Sequence, residues 1–365
     1  MIRALCLGLV CLFAAAAGAG AQEATLQLGT GDTQLLVRST TDIVILRPAL
    51  EEFVRRSPGI SVNYEQWGSN ALYDNSKTAC DRGEGAADVV FSSAVHQLVE
   101  LVNEACATRY RSALTGALPS ARIWRDEIWG ITREAAVIIY NTDLVSDADA
   151  PRTRFQLLDL MRRGDQVYRG RIATYDIEES GLGYLFAFAD SLEATTFGAL
   201  LEGFSRIDAV ATCCSAEIIR GVSEGRYLVA YNVLGSYVDT VRSEHVGVIL
   251  PEDYTLFLSR AYMIPRGAAH AASAERLLDF LLSDDGQAIL AKSGLVAAHD
   301  PDANGLPESA ERAIAIEPTL LVALDQQRHA RFVEQGRAAF GRRRAPRARA
   351  TRQRPPRGLP AATSA

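Results

Sequence analysis

The sequence predicts an α/β protein of two lobes, each a mostly parallel sheet flanked by helices. Three observations carry that expectation. From Thr33 onward short apolar runs alternate with stretches of helical spacing, as strand–helix units of a parallel sheet do. The length of 365 residues suits about two domains at roughly 150 residues each. The strand-to-helix connections are rich in Ser, Thr and Asp, the residues that head helices.

Taken in order, Leu35–Val37 reads as a buried strand. Ile43, Leu46, Leu50, Phe53 and Val54 fall at helical spacing, and Pro58-Gly59 stops that helix. Pro48 implies a kink, or a helix that starts near Arg47. Val62–Gln66 is the next strand, 69–82 a helix, Asp88–Phe91 a third strand, and Val95, Leu98, Val99 and Val102 mark the helix after it. Ile128–Thr132 and Ala135–Tyr140 read as strands, with a turn at Asn141-Thr142-Asp143. A second set follows: a helix at Phe155–Met161, a strand at Ile172–Thr174, helices at 181–190, 196–204 and 216–223, and a strand at Tyr227–Tyr231. After Val246–Leu250 come a strand at Ala261–Ile264, helices at 273–283 and 285–292, and a last helix near 320–339. There is no internal repeat. The expected limits are 30–138 plus 250–340 for a discontinuous first lobe and 139–249 for the second, with crossovers near Tyr140 and Leu250.

The ends differ from the body. Arg3, the apolar Ala4–Ala17 and the small residues Ala19-Gly20-Ala21 have the form of a signal peptide over residues 1–21, with Gln22 as the mature start. A membrane anchor would need about 20 apolar residues. Val10 stands where lipid attachment at Cys11 would require a small residue. The formal net charge is −6, but residues 342–365 hold eight of the 38 basic residues and no acid, so residues 1–341 carry 30 basic against 44 acidic, a balance of −14. An acidic body does not suggest a nucleic-acid binder. The Arg- and Pro-rich tail has no apolar periodicity and reads as a disordered, dispensable end; electrostatic adhesion to an anionic surface is the alternative.

Cys6 and Cys11 leave with the signal peptide, so Cys80, Cys106, Cys213 and Cys214 remain in an oxidising compartment. Four cysteines allow three pairings, of which Cys80–Cys106 is the economical one. Cys213-Cys214 then form a vicinal ring that rigidifies a turn near the cleft, or stay as thiols. No cysteine–histidine spacing of a metal site is present.

In open α/β sheets ligands bind at the carboxyl ends of strands, against helix N-termini. Here those ends carry Ser39-Thr40-Thr41-Asp42, Ser92-Ser93 and Ser180-Gly181. Each sets backbone N–H groups and hydroxyls at the positive end of a helix dipole, which binds anions without a full charge. Any one loop could merely cap its helix; three in one chain point to a shared ligand. Asp42 is read as a cap. A hydrolase is not indicated: there is no G-x-S-x-G or H-E-x-x-H motif, and His245, His270, His299 and His329 are scattered and polar-flanked.

From Thr33 to about Phe340 the chain resembles a type II periplasmic solute-binding protein of an ABC importer, and within that superfamily the ferric-ion-binding branch and the phosphoglycerate transport regulatory protein. The resemblance rests on Ser39–Asp42, Ala87–Ser93, Val137–Thr142, Ile172–Asp176 running into Ser180-Gly181, Ala230–Tyr237 and Leu277–Gln287. It implies a periplasmic receptor, monomeric and without a cofactor, whose two lobes close by hinge bending near Tyr140-Asn141. Ferric binders use paired Tyr phenolates after a segment like Ala230–Tyr237, with a His or carboxylate from the first lobe. Here Ser236-Tyr237 stands in that place, and His96 reads as a surface residue on a helix. Tyr237 would be the metal ligand if iron were bound. The expected ligand is instead a small organic anion, phosphorylated or carboxylated. Its expected contacts are Ser39, Thr40, Thr41, Ser92, Ser93, Ser180, Gly181, Asn232 and Tyr237, with Arg133 or Arg260 as the charge. Tyr231 is expected to pack beneath the site. The expected partner is an ABC permease; a sensor kinase is the alternative.

Overall fold

The computed structural model describes residues 22–163, 166–238, 244–297 and 306–341. The expected signal peptide, the Arg-rich tail and His299 lie outside the described residues. In chain order the elements are β1 (Gln22–Leu28), β2 (Thr33–Ser39), α1 (Ile43–Arg56), β3 (Ile60–Trp67), α2 (Ser69–Asp81), β4 (Val89–Ser92), α3 (Val95–Asn103), α4 (Ala113–Gly116), β5 (Ile123–Trp124), β6 (Ile128–Gly130) and β7 (Glu134–Asn141). Then come α5 (Arg154–Arg163), β8 (Ile172–Tyr175), α6 (Gly181–Glu193), α7 (Phe197–Arg206), β9 (Val210–Thr212), α8 (Ser215–Ser223) and β10 (Val229–Leu234). The rest are β11 (Val246–Ile249), β12 (Thr255–Leu258), β13 (Ala261–Met263), α9 (Ala271–Leu282), α10 (Asp284–Lys292), β14 (Glu311–Ala313) and α11 (Gln326–Phe340).

Two sheets organise the two lobes. The first runs β1-β3-β2-β4-β13-β6-β5; the second runs β14-β12-β7-β10-β8-β9, with β11 also on β7. Both are mixed. The strands joined through helices are parallel, β2 with β3 and β4, and β8 with β9 and β10. The strands that return from the other lobe or by a short connection pair antiparallel, as β13 does with β4 and β6, and β7 with β10, β11 and β12. Parallel pairing needs a crossover and antiparallel pairing does not.

The chain passes between sheets at residues 131–133 and returns at 259–260, not at Tyr140 and Leu250. It passes over once more after β13, since β14 pairs with β12 in the second sheet and the last helix packs on α7, so the end of the expected 250–340 segment lies with the second lobe. Tyr140 is well inside the second sheet, opposite Val229 and Gly247. The two crossing segments lie side by side: Ile131 N–H donates to the Arg260 carbonyl at 2.9 Å, and Arg260 N–H to Thr132 Oγ1 at 2.8 Å. β12 and β14 also join the second sheet. Their short runs, Thr255–Leu258 and Glu311–Ala313, lack the alternation that marks a strand.

The first core packs Leu35, Val37, Val62 and Val89 of the central strands against Leu46, Leu50 and Phe53 of α1 and Leu98 and Val102 of α3. α1 starts at Ile43 and continues through Pro48. The second core gathers Ile138, Leu157, Met161, Leu200 and Phe204; each such buried side chain contributes about 1.5–3 kcal/mol. The last helix begins later than its periodicity suggested, after a 3-10 turn at Pro318–Leu324. It seats Phe340 against Phe204, ring centres 5.5 Å apart.

Candidate functional site

A cavity of about 180 Å³ opens between the two sheets. Thr40 and Asp42 from the β2–α1 turn, Ser93 from the β4–α3 turn, Ser180 before α6, Tyr237 after β10 and Arg260 at the crossing all face it. Thr40 Oγ1 accepts from Ser93 N–H at 3.0 Å and lies 3.1 Å from Ser93 Oγ. The Tyr237 hydroxyl reaches across from the second lobe: it accepts from Asp42 N–H at 3.3 Å and donates to Asp42 Oδ1 at 3.4 Å. The lobes also touch beside the cavity, where Gly181 N–H donates to Ser69 Oγ at 2.8 Å. Glycine eases this approach, since a Cβ at Gly181 would stand 2.9 Å from Gln97 Nε2 and 3.0 Å from Ala94 Cβ and would push the Gln97 side chain aside.

The cavity is ringed by helix N-termini. The first turns of α1, α2, α3, α6 and α8 border it through Asp42, Gly68-Ser69, Ser93, Ser180 and Cys214-Ser215. Of these only α6 has a side-chain cap, Ser180 Oγ accepting from Gly183 N–H at 3.0 Å. The N-cap residues Asp42, Gly68, Ala94 and Cys214 make no side-chain cap bond. Asp42 therefore does not cap its helix as its sequence position suggested. Some N–H groups at these turns are met by side chains from elsewhere, Ile43 N–H by Gln66 Oε1 at 3.0 Å and Ala94 N–H by Ser92 Oγ at 3.1 Å, but the positive dipole ends of the five helices still favour an anion.

The charges beneath are arranged differently. Arg260 is buried under the floor, where Nε donates to Glu134 Oε1 at 2.8 Å, one terminal N to Glu134 Oε2 at 3.2 Å and the other to Thr41 Oγ1 at 3.0 Å. Burial works against its charge, but Glu134 more than offsets this and holds the guanidinium above its ordinary pKa. Burial raises Asp42 above the usual carboxylate range; Arg260 opposes that, Glu23 adds to it and the Tyr237 hydrogen bond opposes it again. Burial likewise lifts the Tyr237 phenol well above its ordinary value.

Thr40, Ser93, Ser180, Tyr237 and Arg260 thus come together in one cavity. The other expected contacts do not line it. Ser39 Oγ accepts from Thr41 N–H at 3.0 Å, Ser92 Oγ from Ala94 N–H at 3.1 Å, and Thr41 Oγ1 holds Arg260. These hydroxyls shape the turns from below. Gly181 borders the neighbouring cavity. Asn232 donates to Asp190 Oδ2 at 2.9 Å in a buried cluster with Arg154, Tyr231 and Tyr254, and neither it nor Tyr231 lines the cavity. Arg133 donates to Glu311 Oε1 at 2.7 Å and stacks 3.9 Å from the Phe257 ring centre, away from the cleft. His96 is buried, not at the surface.

Sequence reasoning missed Glu23, Gln66, Trp67, Ser69 and Ser215, which also line the cavity. Gly68-Ser69 had a readable signal, a strand end running straight into a helix like the three loops singled out. The disulfides are Cys80–Cys106 and Cys213–Cys214. The vicinal pair forms part of the cavity wall at the head of α8.

Residues 86–315 match the bacterial extracellular solute-binding protein family. A substrate-binding protein of an ABC transporter from Agrobacterium tumefaciens is 31% identical, with a TM-score of 0.81 over 88% of this chain and 100% of that one. The chain belongs to this family. As a type II periplasmic solute-binding protein it is a receptor and not an enzyme, it works in the periplasm, and it serves the membrane component of an ABC transporter. Two more distant structures share the fold of this solute-binding protein. Iron-bound HitA from Pseudomonas aeruginosa is 16% identical, with a TM-score of 0.65 over 84% of this chain and 99% of that one. AfuA from Actinobacillus pleuropneumoniae, with exogenous fructose-6-phosphate bound, is 14% identical, with a TM-score of 0.67 over 85% and 99%. No curated protein matches the chain.

Proposed function

We propose that this receptor captures a small solute carrying an anionic group together with a positive centre. The observation that carries this reading is the cavity bordered by five helix N-termini, four of them without a side-chain cap. Such N–H groups hold a phosphate or carboxylate. Arg260 is committed to Glu134, while Asp42 and Glu23 line the same cavity, so the acidic side calls for a cation or an amine. Thr40, Ser93, Ser180 and Tyr237 supply the hydrogen bonds.

A second reading takes the positive centre to be Fe(III), which would place the chain in the ferric branch. Two carboxylates and one phenol, Asp42, Glu23 and Tyr237, supply hard oxygen donors on one cavity, and an anion at the helix N-termini would complete the shell. The iron bound by HitA and the sugar phosphate bound by AfuA bracket the two readings.

A thermal-shift screen of the full chain separates them. The screen uses phosphorylated metabolites, amino acids and Fe(III) with and without citrate. A ligand held only by the folded state raises the melting temperature as its concentration rises. Under the first reading an organic zwitterion or phosphate stabilises, and Ser93→Trp abolishes the effect. Under the second, Fe(III) gives a visible phenolate band that Tyr237→Phe removes. Stabilisation that survives Ser93→Trp would overturn the placement of the site.

A further inference from the structure

The wall of the cleft carries a disulfide to which solute capture assigns no chemistry. Cys213 and Cys214 are bonded to each other, both line the cavity and both are half-buried, so a small molecule entering the cleft meets this pair. The other bridge is placed differently. Cys106 is 4% exposed, and it and Cys80 pack in the first hydrophobic core.

The residues on either side of the vicinal pair are anchored. Thr212 ends β9, its carbonyl accepts from Asp176 N–H at 2.8 Å, and its hydroxyl donates to Glu217 Oε2 at 2.7 Å. Ser215 Oγ lies 2.6 Å from the Tyr175 hydroxyl, which accepts from Leu234 N–H at 3.2 Å. Between these anchors the two cysteines join the strand to α8, and Cys214 is the N-cap of that helix. A helix N-terminus stabilises a thiolate and lowers its pKa, and a thiol of lower pKa leaves faster in exchange. Glu217, in the first turn of α8, opposes that charge; Arg260, on the same cavity, favours it.

We propose that Cys213–Cys214 is a thiol–disulfide exchange site set in the cleft, that its reaction partner is a small-molecule thiol, and that its reduction weakens capture of the solute's anionic group. The thiolate of the incoming molecule attacks Cys213 Sγ, the S–S bond breaks, and the electron pair leaves on Cys214 Sγ at the head of α8. A second molecule of thiol attacks the incoming sulfur of the mixed disulfide, frees Cys213 and departs as the oxidised dimer. Two thiols thus lose two electrons and two protons, and the two cysteines gain them. The reduced pair no longer closes a ring on the wall, and it sets an ionisable thiol at a helix N-terminus that the oxidised pair leaves to the solute. The effect on capture rests on the solute reading given above; the exchange itself does not.

Titration of the full, folded chain with 2-mercaptoethanol, followed by trapping with iodoacetamide and peptide mass mapping, tests the exchange. Cys213 and Cys214 are expected to become alkylated at a lower thiol concentration than Cys80 and Cys106. Opening of Cys80–Cys106 first, opening of both bridges together, or no opening short of unfolding overturns the exchange site. Calorimetric titration with inorganic phosphate tests the effect on capture. The oxidised receptor is expected to bind phosphate about fivefold more tightly than the selectively reduced one, and reoxidation to restore the affinity. Equal affinity in the two states overturns the control of capture while the exchange stands. Failure of the oxidised receptor to bind phosphate overturns the anionic reading itself, and the control of capture with it.

Discussion

Glu134 and Arg260 join the two segments that cross between the lobes. Glu134 opens β7 just after the outward crossing, Arg260 sits within the returning one, and their side chains meet at 2.8 Å with 0% and 1% exposure. Thr132 and Ser236 hydroxyls donate to the same carboxylate, at 2.7 and 2.5 Å. The pair is therefore fully hydrogen-bonded where solvent cannot screen it.

Removing one partner of such a pair leaves a buried charge uncompensated, which costs about 3–5 kcal/mol. Glu134→Ala is expected to lose that much stability in urea denaturation. Glu134→Gln keeps an acceptor for Arg260 and loses less. A Glu134→Ala variant within about 1 kcal/mol of the parent would show that Arg260 finds another partner.

His96 predicts a pH dependence. Its folded pKa of about 3 lies below the ordinary 6.5, so the unfolded chain takes up a proton that the folded chain refuses. The stability linked to the neutral ring is fully present above pH 6.5 and is lost as pH falls toward the folded value of about 3. His96→Leu should flatten the decline between about pH 6 and 4 by roughly 1.4 kcal/mol per pH unit, one proton's worth. Parallel stability curves for parent and variant would refute a buried neutral imidazole.

The two disulfides should differ in what they stabilise. Cys80–Cys106 spans 26 residues, and closing a loop of that size contributes about 3–4 kcal/mol in the chain-entropy model. Cys213–Cys214 has a separation of 1 and restrains almost nothing in the unfolded chain. Cys80→Ser with Cys106→Ser should lower the denaturation midpoint clearly. Cys213→Ser with Cys214→Ser should barely move it and should instead weaken solute binding in the thermal-shift assay. Equal losses of stability would contradict this division of roles.

The parts of the molecule legible in the sequence are those governed by local rules. Helical spacing marks α1, α3, α9 and α10, and strand-end hydroxyls bring Thr40, Ser93 and Ser180 to one cavity. What was not legible depends on partners far along the chain. Arg133 and Arg260 look alike in sequence, but Glu311 claims the first from 178 residues away, outside the cleft. Asn232 is drawn to Asp190 rather than to the solute cavity. His96 sits on a helix face that would be open to water, except that Tyr184 and the Pro318–Leu324 turn come to cover it. The acidic side of the cavity was also hidden, because Glu23 belongs to an edge strand beside the expected cleavage site.

The crossing segments at residues 131–133 and 259–260 lie side by side, stapled through backbone and side chains, so a swing of the halves should pivot close to them. Groups lying on an axis of rotation barely travel. The bed formed by Thr41, Glu134 and Arg260 should hence keep its shape whether the jaws are apart or shut, while Ser93 and Ser180, at the rim, cover the distance. A guest arriving in the open receptor meets a surface already in its final form, and only the walls must move to enclose it.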